Sequence, residues 1–307
     1  MSRALAWLGA LSLVASAPAQ PVSGQPPAAR PSAGVKPRST ARPAAATGSV
    51  KALLARAHEQ SGRKDLRGAL DTLGRARALA PNSEEVLAAY AEASLGVRAP
   101  LAAVPVLEAL TRMCPGVAQY HYLLGKGLMQ AGDLPAAVEP LKEAERLEPN
   151  EPPILVALGK ALNDRKLYSE AKPLLLRALS FTPENVEAMA ALAEAEEGLG
   201  ELQQAEDHSQ RALARSGDDA TANRVMGMVR MKQDRYTEAR DALLKAVALD
   251  PCSTKAQYQL SLAYARLDDA ASAEKHLALY RRCAAEAESR LEEVRALTGF
   301  SLGGMSR

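Results

Sequence analysis

Four histidines, three cysteines and one dense run of glutamates are the side chains through which this chain of 307 residues could do chemistry. The histidines are His58, His121, His208 and His276. No two of them have the His-Glu-x-x-His spacing that sets two zinc ligands and a general base on one helix face. None stands beside a cysteine or carboxylate group at metal-ligand spacing. Gly125-Lys126-Gly127 lacks the Gly-x-x-x-x-Gly-Lys-Ser/Thr frame whose backbone N–H groups cradle phosphate, and no Gly-x-Ser-x-Gly elbow presents a nucleophile. Glu194, Glu196 and Glu197 read as a solvated helix face. The expectation is a protein that is not an enzyme, with no catalytic residue, no metal and no cofactor. Its function must then lie in binding, and the elements that shape a binding surface become the question.

Composition favours helices. Alanine and leucine dominate, aromatics make up only 4%, and Ala and Leu cost least in a helix interior. Low aromatic content argues against an all-β sandwich or barrel. No uninterrupted apolar run reaches the ~20 residues that span a bilayer. The net charge of +2 hides two regions. Residues 1–48 hold five basic side chains (Arg3, Arg30, Lys36, Arg38, Arg42) and no acidic one, which leaves 33 basic against 36 acidic in the remainder. That remainder lacks the basic face a nucleic-acid ligand would need.

The N-terminus has the layout of a secretory signal peptide: Arg3, an apolar stretch from Ala4 to Val14, then Ala17-Pro18-Ala19 before Gln20. Cleavage is expected after Ala19. No cysteine stands at the cut to carry a lipid, and the sole tryptophan, Trp7, would leave with the signal. Residues 20–48, with Pro21, Pro26, Pro27, Pro31, Pro37 and Pro43 among Ala, Ser and Gly, read as a disordered linker. Such a stretch buries too little apolar surface to offset its ordering entropy.

The rest of the chain repeats. Pro81, Pro115, Pro149, Pro183 and Pro251 lie on one ruler of 34 residues, and Gly217 fills the missing mark. Seven units in this phase start at 50, 84, 118, 152, 186, 220 and 254. Position 20 is Ala in all seven: Ala69, Ala103, Ala137, Ala171, Ala205, Ala239 and Ala273. Position 8 is always small, and position 24 is Leu except for Ser209 in the fifth unit. Each unit is two helices of about 13 residues joined by a turn. Small residues at 8, 20 and 27 let the paired helices approach, and large ones at 4, 7, 11, 17 and 24 fill the layer between units. His121 sits on such a core position. His208 and His276 share one repeat position and need no functional explanation. Pro105, Pro140 and Pro173 fall inside second helices and leave the starts of those helices open. From Ala271 to Thr298 no Gly or Pro intervenes, so one long closing helix is expected to end at Gly299, with Glu292 and Glu293 on its wet face.

These units resemble tetratricopeptide (TPR) repeats. The third reads His121, Leu124, Gly125, Leu128, Ala137, Leu141, Ala144, Pro149 at the diagnostic positions, and the fourth Leu155, Leu158, Gly159, Leu162, Ala171, Leu175, Ala178, Pro183. The resemblance covers residues 49–285, with 286–307 as a capping helix and tail. It implies an all-α fold, a right-handed α-solenoid whose first helices line a concave groove through positions 2, 5, 9, 12 and 13. Those positions hold Tyr122, Lys126, Met129, Lys160, Asn163, Asp164, Glu194, Glu197, Arg224, Met228, Met231, Tyr258 and Arg266. Lys126 and Lys160, one unit apart at the same position, are expected side by side. The clamp with which TPR chaperone co-factors hold two carboxylates needs Lys and Asn at positions 5 and 9; Tyr122/Lys126 and Val156/Lys160 do not match it. Cys252 opens the last unit and Cys283 ends its second helix, so an antiparallel pair brings them within reach of a disulfide if their Cα atoms fall within ~7 Å; Cys114 would then be free or buried. The expected role is a scaffold, periplasmic or secreted, that binds a protein or peptide in the groove. The alternative is an accessory subunit of an envelope machine that exports or assembles polysaccharide, pilus or outer-membrane protein.

Overall fold

The computed structural model describes residues 42–298; the expected signal peptide, most of the linker and the tail lie outside them. Among the described residues there are fourteen helices and no strand. They pair into seven hairpins: α1 (Arg42–Gly62) with α2 (Leu66–Leu79), α3 (Glu84–Gly96) with α4 (Pro100–Met113), α5 (Ala118–Ala131) with α6 (Leu134–Leu147), α7 (Pro152–Asp164) with α8 (Tyr168–Phe181), α9 (Val186–Leu199) with α10 (Leu202–Arg215), α11 (Ala220–Lys232) with α12 (Tyr236–Leu249), and α13 (Thr254–Arg266) with α14 (Ala270–Thr298). The 34-residue ruler is thus a ruler of helix pairs. One boundary moves: α1 begins at Arg42, so residues 42–48 are helical rather than linker. Ala44, Ala45 and Ala46 are strong helix formers, and extending an existing helix avoids the cost of a new nucleus.

The turn inside each hairpin depends on one backbone conformation. Position 15 is left-handed in every unit: Lys64, Arg98, Gly132, Lys166, Gly200, Asp234 and Asp268 all have φ between 57° and 88°. Only Gly132 and Gly200 hold it without the steric cost a Cβ brings. The next residue caps the second helix where it can: Asp65, Asp133 and Asp269 accept from the N–H of Gly68, Ala136 and Ser272.

Packing follows the repeat. Ala69, Ala103, Ala137, Ala171, Ala205 and Ala239 are wholly buried, whereas Ala273, in the last of the described units, is partly open. Leucine at position 24 presses on the small residue at position 8. A Cβ on Gly125 would fall 2.4 Å from Leu141 Cγ, and one on Gly159 2.6 Å from Leu175 Cγ, so these crossings demand glycine. Pro105, Pro140 and Pro173 leave α4, α6 and α8 continuous. The fifth unit keeps its second helix despite losing the leucine, but Ser209 is fully buried and its hydroxyl has no partner. α14 is the long closing helix, with Glu292 and Glu293 exposed. It reaches back to α4 and α5, and Arg295 Nε meets Oδ2 of Asp133, the residue that caps α6, at 3.2 Å.

Two expectations fail. His121 is not a core residue; it is partly exposed, with Nε2 2.9 Å from the Pro115 carbonyl oxygen. Glu194, Glu196 and Glu197 are not solvated: all three are buried.

Candidate binding groove

First helices of successive units pack on one another, from α3 through α13, while no two successive second helices pack as closely. The wall where helices crowd together is the inner one, so α3, α5, α7, α9, α11 and α13 line the concave face. No helix among the described residues is long and apolar enough to cross a membrane.

The inner wall has two characters. At the third unit, Tyr122, Lys126 and Met129 are all partly exposed. Lys126 Nζ lies 5.2 Å from the centroid of the Tyr122 ring; among the described residues no carboxylate comes within 4 Å of it, and its charge acts at longer range on Glu92, whose carboxyl burial pushes up. Burial, and to a lesser degree Glu187, push the Tyr122 phenol up to about 12, so it stays a neutral donor with a broad apolar face. Tyr122 and Met129 also pack against the cores of both their own and the next unit.

From the fourth unit onward the wall is ionic, and four repeats meet at one point. Glu194 of α9 accepts from Arg224 of α11 at 2.8 Å and from Lys255 of α13 at 2.8 Å; Lys255 also reaches Asp164 of α7 at 2.7 Å. Burial pushes the Glu194 carboxyl up, but Arg224 and Lys255 outweigh it and hold it below the ordinary carboxylate range. Burial likewise works against the Lys255 ammonium, and Glu194 and Asp164 reverse that and raise it. Glu197 takes Lys232 at 2.7 Å, and Glu196 takes His208 Nδ1 at 2.7 Å with Lys172 at 3.9 Å. Every buried glutamate of α9 is therefore paired, as a buried charge must be. Lys160 bonds Glu187, so it does not stand with Lys126 as a second cation without a close carboxylate. Asn163 is buried and donates to the Ala191 carbonyl at 2.7 Å rather than facing a ligand.

At the far end Met228 and Met231 are partly exposed, and Met228 Sδ sits 3.4 Å from Arg224 Nη1. Tyr258 is exposed beside Tyr280, ring centroids 5.5 Å apart, and Arg266 lies over the Tyr236 ring. The structure joins Cys252 and Cys283 by a disulfide, Cα atoms 5.4 Å apart; Cys114 is a partly exposed free thiol. The one Cys/Glu grouping close enough to share a metal, among the described residues, adds Glu286 to that disulfide, whose sulfurs are already spent on each other.

A hollow of about 520 Å³ opens on the ionic wall between Lys160, Asp164, Glu187, Glu194, Arg224 and Lys255. Lys255 is the residue the sequence reading passed over. It occupies position 2, an inner-wall position, in the last unit.

The family follows from the repeat itself. A tetratricopeptide repeat model matches residues 91–152, 156–220 and 224–288, well over half of the chain. This chain belongs to the tetratricopeptide repeat family, a class of protein–protein interaction scaffold. It is similar in fold to a tetratricopeptide repeat protein from Parabacteroides merdae ATCC 43184 (11% identity, TM-score 0.62, 80% of this chain and 99% of that one). It is similar also to the APC/C hetero-tetramer Cut9–Hcn1 (15% identity, TM-score 0.56, 81% of this chain and 53% of that one). MamA from Desulfovibrio magneticus RS-1 aligns over 56% of this chain and 97% of its own, at 20% identity and TM-score 0.47. No curated protein matches the chain.

Proposed function

We propose that this chain is an exported scaffold that binds an extended segment of a protein along its concave wall, anchored at the third unit. The observation that carries this reading is the contrast along the wall. Tyr122, Lys126 and Met129 offer an aromatic face, a cation with no carboxylate within 4 Å and a flexible apolar side chain together, the residue types that anchor interfaces. Export is supported by the signal-like start at Arg3–Ala19 and by the Cys252–Cys283 disulfide, a bond that persists in oxidising compartments.

The test uses Lys126→Glu and, on a second helix of the same unit, Lys142→Glu. Each tagged variant is used to recover partners from an envelope extract. Loss of the partner with Lys126→Glu alone supports the groove. Loss with Lys142→Glu and retention with Lys126→Glu overturns it. An intact mass that begins at Met1 or Ser2, or tryptophan fluorescence from the mature protein, overturns cleavage.

A further inference from the structure

The hollow on the ionic wall already holds an ammonium group, and it belongs to the chain. Lys255 stands in the first turn of α13, yet its Nζ donates to Asp164 Oδ1, three units back, and to Glu194 Oε1, two units back. Freezing a long, half-exposed lysine costs about as much as an ordinary surface pair returns. This one is held because its two acceptors are presented by different helices and one of them is fixed. The Glu194 side chain is 11% exposed and bound by Arg224, itself 7% exposed. Arg224 holds the Glu194 half of this cradle whether or not Lys255 fills it, and Asp164 supplies the other acceptor.

The cradle's chemistry selects its occupant. Two single oxygens from separate helices each take one N–H, which suits a compact three-donor ammonium better than the planar fork of a guanidinium. An anion is disfavoured. With Lys255 moved aside, the lining carries Asp164, Glu187, Glu194 and Asp219 against only Lys160 and Arg224. The stem of Lys255 shows that an aliphatic chain ending in an ammonium reaches both oxygens.

We infer that Asp164 and Glu194 form a subsite for a lysine side chain of the bound segment, and that Lys255 is a tethered plug which that lysine displaces. This deepens the groove reading above and rests on it. Exchanging one ammonium for another leaves the charge balance unchanged, so what opposes entry is the competition of a tethered ammonium already in place. A lone lysine then competes poorly, while a segment anchored elsewhere along the wall can deliver its lysine intramolecularly. The plug makes the far half of the groove conditional on the near half.

The experiment titrates Nα-acetyl-lysine amide into the full chain, into Lys255→Ala and into Lys255→Gln, with the helical content of each checked by circular dichroism. Amide shifts at Ala191 and Glu194 report the site. The expected result is binding about tenfold tighter to either variant than to the unmodified chain, and loss of that gain when Asp164→Asn is added. Acetyl-norleucine amide, which lacks the ammonium, should not shift the same amides. Equal affinity for all three proteins, or an equal response to acetyl-norleucine amide, overturns the plug. Tighter binding of Gly-Gly amide than of acetyl-lysine amide assigns the cradle to an α-amine and overturns the lysine form. Lys255→Gln keeps the experiment decisive if Lys255→Ala does not fold. The probe is a single amino acid, so its failure leaves the partner-recovery result for Lys126→Glu standing, and the reverse also holds.

Discussion

The third unit and the fifth are built on the same template, yet their inner walls do opposite things. In the third, positions 5, 9 and 12 are Tyr122, Lys126 and Met129, all reachable from the groove. In the fifth, positions 9, 11 and 12 are Glu194, Glu196 and Glu197, all buried and all answered by cations from neighbouring helices: Arg224 and Lys255, Lys172, and Lys232. One backbone therefore supports both an open wall and a sealed one. Which of the two forms depends on whether the next units supply side chains long enough to cross the groove. Arg224, Lys232 and Lys255 are long enough, and they tie the fourth to seventh units into one ionic body.

The largest expected difference between the regions is in stability. Glu194→Ala strands a buried Arg224 and should cost about 3–5 kcal/mol, whereas Lys126→Ala should stay within about 0.5 kcal/mol. Urea unfolding followed by helical signal compares them, and equal costs would erase the distinction. Next comes the covalent staple of the sealed end. Cys252→Ser opens a loop of 31 residues and should cost about 3 kcal/mol, concentrated in α13 and α14. Hydrogen exchange that loosens uniformly instead would show that the staple does not act locally.

Acid should separate the regions as well. Glu194 binds its proton less readily when folded than when unfolded, where its ordinary value is 4.5. Its contribution is therefore complete above pH 4.5 and falls away as the pH drops through the lowered folded value. Lys255 does the reverse: its contribution is complete below 10.5 and is lost as the pH rises past its raised folded value. Lys255→Ala should shallow the acid limb because Glu194 loses one of the cations that depress it; an unchanged limb contradicts this. The smallest effect concerns Ser209. Removing its orphan hydroxyl with Ser209→Ala should gain about 1 kcal/mol, and residues 202–217 should exchange faster than 134–149 in the unmodified chain.

The repeat was legible because it is written in small residues at fixed positions, such as Gly125 under Leu141, where a larger side chain would meet the leucine. The closing helix was legible for a similar reason: no breaker falls between Ala271 and Thr298. The buried glutamates were misread because hydropathy assigns a charged side chain outward, and their partners lie 12 to 61 residues away. A signal was present. Glu196 holds position 11, a core position, opposite His208 at position 23. The same two positions join Gln60 to Thr72 and stack Tyr264 on His276. The left-handed turn residue at position 15 was signalled too, by Gly132, Gly200, Asp234 and Asp268 in phase.

The division of the inner wall predicts where a partner touches. A photo-crosslinking residue placed at Met129, at Met228 or at Lys142 in the native cell samples the near groove, the far groove and the outer face. Adducts at Met129 that persist when Glu194 is intact, with none at Lys142, are the result this account predicts. Adducts at Lys142 with none at Met129 would contradict it.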